Sequence, residues 1–278
     1  MVMRVNNWKK NMLKYRVLTA ALLIPLVIIF VFFVPYVYFI AAAILLLLGT
    51  AWEWCGLIGL SSKLYRMLYV LILGLLTLSA YYLLPLSVIF YLSLLFWCLG
   101  ILFLASFPRG QSFWNKHLWF KLIIGAVMLI PFIDALLFIK LQQNSATWFM
   151  LILLMVWAAD TGAYFSGKRW GKNKLIPQVS PNKTREGLYG GIVLSMLVIL
   201  FFAVLTKNPI FLNAYFIWGL ILCVIFAVAG DLIESAVKRF ANVKDSGNIL
   251  PGHGGLLDRL DSLIAALPIF ALTLWLFS

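Results

Sequence analysis

LYGGIVLSMLVILFFAVLT, residues 188–206, is a stretch of nineteen residues without a charged side chain. A helix of about 20 apolar residues crosses the hydrocarbon core of a bilayer, because each residue adds about 1.5 Å to its length. Glu186 and Lys207 bound the stretch closely, so its apolar character begins and ends abruptly. It therefore predicts a membrane-spanning helix.

The rest of the chain repeats this pattern. Hydrophobic residues make up 64% of the 278 residues and the mean hydropathy is +1.03, which means more apolar surface than one soluble core can bury. We expect an all-α, polytopic membrane protein with about nine transmembrane helices. About five fall in an N-terminal region, 1–140, and the others in a second region, 141–278. The apolar runs are 17–34, 36–52, 67–84, 86–107, 122–139, 147–166, 188–206, 210–230 and 262–277.

Basic residues predict the orientation of these helices. If the N-terminus is cytoplasmic, all but two of the 22 Lys and Arg lie in inner segments, and only Lys140 and Lys207 lie outside. Cytoplasmic segments of membrane proteins are enriched in Lys and Arg, so we expect a cytoplasmic N-terminus and an outer C-terminus. The same topology explains the net charge of +13 through contact with anionic membrane lipids, without nucleic acid as a partner.

Acidic residues are few, and most of them are grouped. Of the nine, Glu53 and Asp134 stand apart, and the others fall into a first polar block, 160–187, and a second polar block, 231–261. Carboxylates beside spanning helices are costly and usually line a polar cavity or pair with something, so these blocks predict a functional site in two cytoplasmic loops. The grouped acids are Asp160, Glu186, Asp231, Glu234, Asp245, Asp258 and Asp261.

Helical spacing brings the acids of the second block together. Asp258 and Asp261 are three residues apart, so they share one face of a helix and could hold one cation, or could form ion pairs with Arg259. Asp231 and Ser235 are likewise one turn apart, and Lys238 and Arg239 follow them. Sites built only from carboxylate oxygens suit Mg²⁺, and no His spacing favours zinc.

Between these two helices lies a glycine-rich loop. Gly254 and Gly255 directly precede a helix, where backbone N–H groups could bind a phosphate, although such a turn can also be purely structural. His253 could bond a phosphate oxygen, transfer a proton or serve only the structure.

The first polar block reads DTGAYFSGKRWGKNKLIPQVSPNKTREG and mixes Gly and hydroxyl residues with cations. That composition is typical of an anion-binding loop, and also of a solvated basic loop. The presence of both polar blocks on one side of the membrane favours binding of a metal ion and a polyphosphate. The candidates for substrate contact in the first block are Ser180, Lys183, Thr184 and Arg185.

The stretch SAVKRFANVKDSGNILPGHGGLLDRLD, residues 235–261, resembles the signature of the phosphatidate cytidylyltransferases, or CDP-diacylglycerol synthases. DTGAYFSGK, residues 160–168, and SPNKTREG, residues 180–187, are similar to an upstream loop of that family. The specific resemblance covers residues 160–261. The first 150 residues match only in being apolar and multi-spanning.

This resemblance implies transfer of the cytidylyl group of CTP to phosphatidate, giving CDP-diacylglycerol and pyrophosphate, with Mg²⁺ required. It implies a membrane-embedded homodimer in the inner cell membrane, with a polar cavity open to the cytoplasm and residues 141–278 as the catalytic region. Asp231, Asp258 and Asp261 would hold the metal, with or without a second cation nearby. The implied catalytic set is Asp231, Lys238, Arg239, His253, Asp258, Arg259 and Asp261. The implied substrate contacts are Ser180, Lys183, Thr184, Arg185, Ser235, Lys244, Gly254 and Gly255.

Three alternatives remain open from the sequence. A CTP-dependent lipid kinase or another lipid phosphotransferase would use similar groups, but the D-x-x-D-G-x-x-A-R run of the CDP-alcohol transferases is absent. A cation-coupled transporter would place its acids in mid-span, whereas most here lie near helix ends. A non-catalytic scaffold that holds anionic lipid would explain the cations but not the aspartates.

Overall fold

The computed structural model describes residue 21 and residues 25–109, 111–250 and 254–277. Its long helices are α1 (Tyr36–Leu57), α2 (Lys63–Leu83), α3 (Leu86–Ala105), α5 (Leu118–Leu141), α6 (Ser145–Trp170), α7 (Arg185–Thr206), α8 (Ala214–Phe240) and α9 (Leu257–Phe277). A short helix, α4 (Gln111–Lys116), precedes α5. Two strands, β1 (Lys174–Ile176) and β2 (Ser180–Thr184), join α6 to α7, and a 3₁₀ turn (Pro209–Leu212) joins α7 to α8.

The eight long helices are each long and apolar enough to cross a membrane. Eight of the nine apolar runs are thereby confirmed as helices within the described part of the chain. The remaining run, 17–34, lies partly outside the described residues, although residues 25–32 are helical. The all-α, polytopic fold is confirmed, and the orientation of the termini stays a prediction.

Successive helices alternate in direction, which places the two polar blocks together. At one end of the bundle, the indole of Trp54 on α1 donates to the Lys121 carbonyl at the start of α5 over 3.1 Å. At the other end, the hydroxyls of Tyr36 on α1 and Tyr81 on α2 lie 3.1 Å apart. We call the first the site end and the second the far end. Among the described Lys and Arg residues, only Lys140 and Lys207 lie at the far end.

Much of both polar blocks is helical, although the sequence predicts them as loops. α6 continues to Trp170 and α8 continues to Phe240, so Asp160 and Asp231 lie on helices that extend beyond the apolar runs. The physical reason is that a polar side chain does not end a helix, which continues until a residue such as Gly171 supplies an extended backbone. Rigid helices therefore hold most of the candidate site.

Small residues bring α6 and α7 into close contact. Gly190 on α7 lies against Gly162 and Ser166 on α6, which are four residues apart. Gly187 and Gly191, also four residues apart, lie against Ala163 and Ala159. The Ser195 hydroxyl also donates to the Met155 carbonyl over 2.8 Å. Small residues at four-residue spacing let helix backbones approach closely in membranes. This packing fixes the end of α6 against the start of α7, where the first polar block lies.

Gly191→Ala is expected to destabilise the protein by about 1–3 kcal/mol, because overpacking a close helix contact forces the backbones apart. A Cβ atom at Gly191 would lie 2.7 Å from the Ala159 carbonyl oxygen. The measurement is thermal unfolding of the detergent-solubilised protein. Gly56→Ala is the matched control, because a Cβ atom there meets nothing within 4 Å. Equal melting temperatures for the two variants would contradict the packing argument.

Candidate functional site at the end of the bundle

A β-hairpin presents Lys183 to the end of α8. Strands β1 and β2 pair antiparallel, with Lys174 opposite Thr184 and Ile176 opposite Ser180. The Lys183 ammonium lies 2.6 Å from Oδ2 of Asp231, and both side chains are about one-quarter exposed. A short hairpin limits the freedom of a long side chain, so the lysine is held at the carboxylate rather than moving in solvent.

The hairpin is anchored to the first turn of α7. The Thr184 hydroxyl accepts a hydrogen bond from the Gly187 N–H over 3.0 Å and so caps the helix. The Glu186 carboxylate accepts bonds from the N–H groups of Lys172 and Asn173 and from the Asn173 amide. Thr184 and Glu186 therefore serve mainly to shape the first polar block.

Asp231 stands at the meeting point of three helices and the hairpin. It accepts a bond from the Ser235 hydroxyl over 3.3 Å, as the four-residue spacing predicts. Asp160 on α6 and Asp261 on α9 both lie near enough to interact with it electrostatically. Because like charges repel, this grouping of carboxyl groups requires a nearby cation, which Lys183 supplies in part.

Lys238 joins α8 to α9. Its ammonium lies 2.6 Å from Oδ1 of Asp258 and 3.4 Å from Oε1 of Glu234, one turn earlier on the same helix. Glu234 and the Lys238 side chain are largely shielded from solvent, and a buried ion pair of this kind is costly to break because it leaves one charge uncompensated.

Asp258 caps the start of α9. Its Oδ2 atom accepts bonds from the N–H groups of Ser246 and Gly255, each over 2.8 Å, and from the Ser246 hydroxyl over 3.0 Å. Together with the Lys238 contact, both of its oxygens are engaged within the protein. Asp258 therefore has a clear structural role in holding the glycine-rich loop, and its predicted role as a metal ligand stays a prediction.

Glu53, which the sequence left without a role, lies under the same loop. It is on α1, is only 4% exposed, and its Oε2 accepts the Leu257 N–H over 2.8 Å and lies 3.3 Å from the Ser246 hydroxyl. Gly247 and Gly255 pass so close that a Cβ atom on either would lie within 2.6 Å of this carboxylate. The available sequence signal was a lone acid at the end of an apolar run. Its partners, about 200 residues away along the chain, were not predictable.

The carboxyl groups outnumber the lysines paired with them. Asp261 lies close to both Asp231 and Glu234. Of the buried Glu234 carboxylate, Oε1 faces the Lys238 ammonium, and Oε2 has no hydrogen-bond partner among the described residues. A buried oxygen without a partner and an excess of negative charge fit a divalent cation that binds through oxygen. The described residues do not, however, form a preassembled group of three or more metal-ligating side chains.

The other predicted site residues occupy the rim of this region. The Arg239 guanidinium donates to the Val179 carbonyl over 3.4 Å and so ties α8 to the hairpin turn. Ser180 is half-buried at the start of β2, and Lys244 is exposed in the loop after α8. Arg185 and Arg259 are exposed in the first turns of α7 and α9. His253 lies outside the described residues.

The glycines before α9 have contacts within the protein, and their predicted contact with an anion stays a prediction. The Gly255 N–H, in the loop before α9, already donates to Asp258 in the first turn of that helix. Gly254 has a φ of +83°, a left-handed conformation that favours glycine, and its carbonyl accepts the Leu250 N–H over 3.0 Å. Gly254 therefore has a structural function in the turn.

These features define a multi-pass membrane protein with a charge-dense site of carboxylates and lysines at one end of its helical bundle. Comparison with known proteins identifies one family. The cytidylyltransferase family matches residues 14–277. A phosphatidate cytidylyltransferase of Pseudomonas aeruginosa is 37% identical over 268 residues, covering 95% of this chain and 97% of that protein. The chain belongs to the cytidylyltransferase family.

Two further relatives are also named phosphatidate cytidylyltransferase. A phosphatidate cytidylyltransferase of Haemophilus influenzae is 37% identical, covering 94% of this chain and 98% of that protein. One of Bacillus subtilis is 45% identical over 139 residues, about half of each chain. The family assignment thus agrees with the resemblance drawn from the two polar blocks.

Proposed function

We propose that this protein transfers the cytidylyl group of CTP to phosphatidate, forming CDP-diacylglycerol and releasing pyrophosphate. The single observation that best supports this reaction is the grouping of Asp231, Asp261 and Glu234 with Lys183 and Lys238 at the site end. A site that combines carboxylates with cations suits a metal-bound triphosphate and a phosphate nucleophile. The relatives that match nearly the whole chain are named for this reaction.

The chemistry needs positioning and charge compensation more than a base. The phosphate of phosphatidate is already ionised near neutral pH, so no side chain has to remove a proton before its oxygen attacks the α-phosphorus of CTP. The bond to the leaving pyrophosphate then breaks, with the two oxygens roughly in line. The main obstacle is repulsion between two anions, which fixed cations and close positioning reduce.

Lysines and arginines of the two polar blocks provide that compensation. Lys183 and Lys238 stand at the carboxylates, each on a rigid element, and Arg239 is tied to the hairpin. Groups held in place before the substrates arrive do not have to reorganise during the reaction. We propose that these three cations contact the phosphates, with the exposed Arg185, Lys244 and Arg259 at the entrance.

We also propose that the activity depends on Mg²⁺. The oxygen-only donors Asp231 and Asp261, together with Oε2 of Glu234, fit this ion, and Asp258 is the third ligand that the resemblance implies. A bound Mg²⁺ would neutralise charge on the triphosphate and polarise its oxygens. A second cation at the same site stays a prediction.

The lipid substrate explains why the protein is built from membrane-spanning helices. Acyl chains of phosphatidate stay in the bilayer, so helices must bring the polar site to the headgroup level. We propose that the site end faces the cytoplasm, where CTP is found, and that the protein lies in the inner cell membrane as a homodimer. The concentration of basic residues at the site end supports this orientation.

The test is a nucleotide assay on detergent-purified protein. Phosphatidate is supplied with CTP, ATP, GTP or UTP, with Mg²⁺ present or chelated. We expect pyrophosphate release and a CDP-lipid only when CTP, phosphatidate and Mg²⁺ are all present. Release of CDP or ADP together with a phosphorylated lipid would show a kinase instead, and turnover in the presence of chelator would refute the Mg²⁺ requirement.

A further inference from the structure

A groove lies at the far end of the bundle, away from the polar blocks. It is formed by α1, α2 and α5 and has a volume of about 320 Å³. Tyr36 and Tyr81 line it near the helix ends, and Leu47 on α1 and Val70 on α2 line it more deeply. Along α1 the lining residues run from 36 to 48, which corresponds to about 18 Å of helix.

The groove opens sideways toward the bilayer. Leu71, Leu75 and Leu78 on α2 line it and are each more than half exposed, although they belong to a membrane-spanning helix. Exposed side chains on such a helix contact lipid. The length of about 18 Å is close to half of the roughly 30 Å hydrocarbon core, so the groove matches one acyl chain of one leaflet.

One carboxyl side chain interrupts this largely apolar lining. Asp134 on α5 lines the groove and is fully buried, and neither of its carboxyl oxygens has a hydrogen-bond partner among the described residues. A buried carboxyl group without a partner is costly, and such a group usually has a functional reason. A hydrogen-bond donor that enters the groove from the membrane would supply the missing partner.

We propose that this groove binds a single-chain membrane amphiphile with a hydroxyl-bearing head, of the monoacylglycerol class, whose hydroxyl donates to Asp134. An ammonium head brings three donors and strong hydration, which one carboxyl group in a largely apolar groove cannot satisfy. A glycerol hydroxyl needs one acceptor. The Tyr36 and Tyr81 hydroxyls line the groove at the helix ends, where tyrosines sit at the membrane interface.

The probe is a monoacylglycerol that carries a photoreactive group on its acyl chain, incorporated into bilayer nanodiscs with the full-length protein. A second probe has both hydroxyls converted to methyl ethers and is otherwise identical. After illumination, labelled peptides are mapped to α1, α2 and α5. We expect the hydroxyl probe to label the groove at least about tenfold more than the ether probe, because a hydrogen bond to a carboxylate contributes that much to binding.

Three variants separate the chain-binding and donor-binding parts of the proposal. Gly74→Leu should abolish labelling by both probes, because Gly74 lines the groove and a side chain there meets open space rather than protein. Asp134→Leu should fold, since it removes an unpartnered polar group, and should label equally with both probes. Ile72→Phe adds bulk to the lipid-exposed surface of α2 outside the groove and should change nothing.

Two results would overturn the proposal. Equal labelling of the wild-type groove by both probes would show that Asp134 does not accept a hydrogen bond from the hydroxyl of the amphiphile. Undiminished labelling of Gly74→Leu would show that the amphiphile does not lie in the groove. Neither result depends on cytidylyl transfer, so the proposal and the proposed function can fail separately.

Discussion

Asp261→Asn is expected to lower the rate of cytidylyl transfer by about 10²- to 10³-fold without lowering the stability of the protein. The loss follows if Asp261 helps to hold the cation that compensates the charge of CTP. The unchanged stability follows from its neighbours, because Asp261 lies beside the carboxyl groups of Asp231 and Glu234. A neutral amide at this position relieves repulsion, and its oxygen can still accept the Ser262 N–H, now 2.7 Å from Asp261 Oδ1.

Asp258→Asn provides the contrast, because Asp258 is engaged by hydrogen-bond donors on both oxygens. An Asn side chain would have to turn its NH₂ group toward either the Lys238 ammonium or the donors of Ser246 and Gly255. Either orientation leaves a buried donor facing another donor, so this variant should lose stability as well as activity.

The measurement pairs initial rates at saturating CTP and phosphatidate with thermal unfolding of the same preparations. An Asp261→Asn protein whose rate is within tenfold of the wild type would remove Asp261 from the metal-binding set. A clear fall in its melting temperature would instead assign it a structural role like that of Asp258.

The membrane fold was predictable because hydropathy acts over a length of about 20 residues, and that length is set by the bilayer rather than by other parts of the chain. The helix ends were less predictable. α8 extends ten residues beyond the apolar run that ends at residue 230, because polar residues such as Asp231 and Lys238 continue a helix once it has formed. The hairpin that carries Lys183 was also missed, since strands of three and five residues leave little signal in sequence.

The composition of the site could be predicted in part. Helical spacing correctly brought Asp231 next to Ser235, because that contact is local. The pairing of Lys183 with Asp231, and of Lys238 with Asp258, depends on how the hairpin, α8 and α9 pack, and no local pattern encodes it. For the same reason, the sequence left open whether Gly255 binds an anion or only shapes the turn, and the bond from its N–H to Asp258 was not predictable.

Glu53→Ala is expected to lower activity by about 100-fold although Glu53 lies on α1, outside both polar blocks. Its carboxylate accepts the first N–H of α9, at Leu257, and supports Ser246, which also contacts Asp258. Loss of this cap should cost about 0.5–2 kcal/mol of stability. The larger effect on rate arises because a shift of about 1 Å in a positioned group can cost about 10²-fold.

Glu53→Gln should restore most of the activity, because a Gln oxygen can still accept the Leu257 N–H. Recovery by the amide distinguishes a positioning residue from one whose charge acts directly on the substrates. If Glu53→Gln is as inactive as Glu53→Ala, the negative charge itself is required and Glu53 belongs to the charged site.

A double-mutant cycle that combines Glu53→Ala with Gly247→Ala tests the contact between Glu53 and the glycine-rich loop. A Cβ atom at Gly247 would lie 2.5 Å from Oε1 of Glu53, and the three nearest atoms it would meet all belong to that side chain. Gly247→Ala should therefore be strongly harmful in the wild-type protein but add little to Glu53→Ala, since shortening the glutamate makes room for the methyl group. Residues in contact show such non-additivity, whereas distant residues do not. Simple addition of the two losses would show that Glu53 does not position the glycine-rich loop, and the N-terminal helices would then have no direct part in the site.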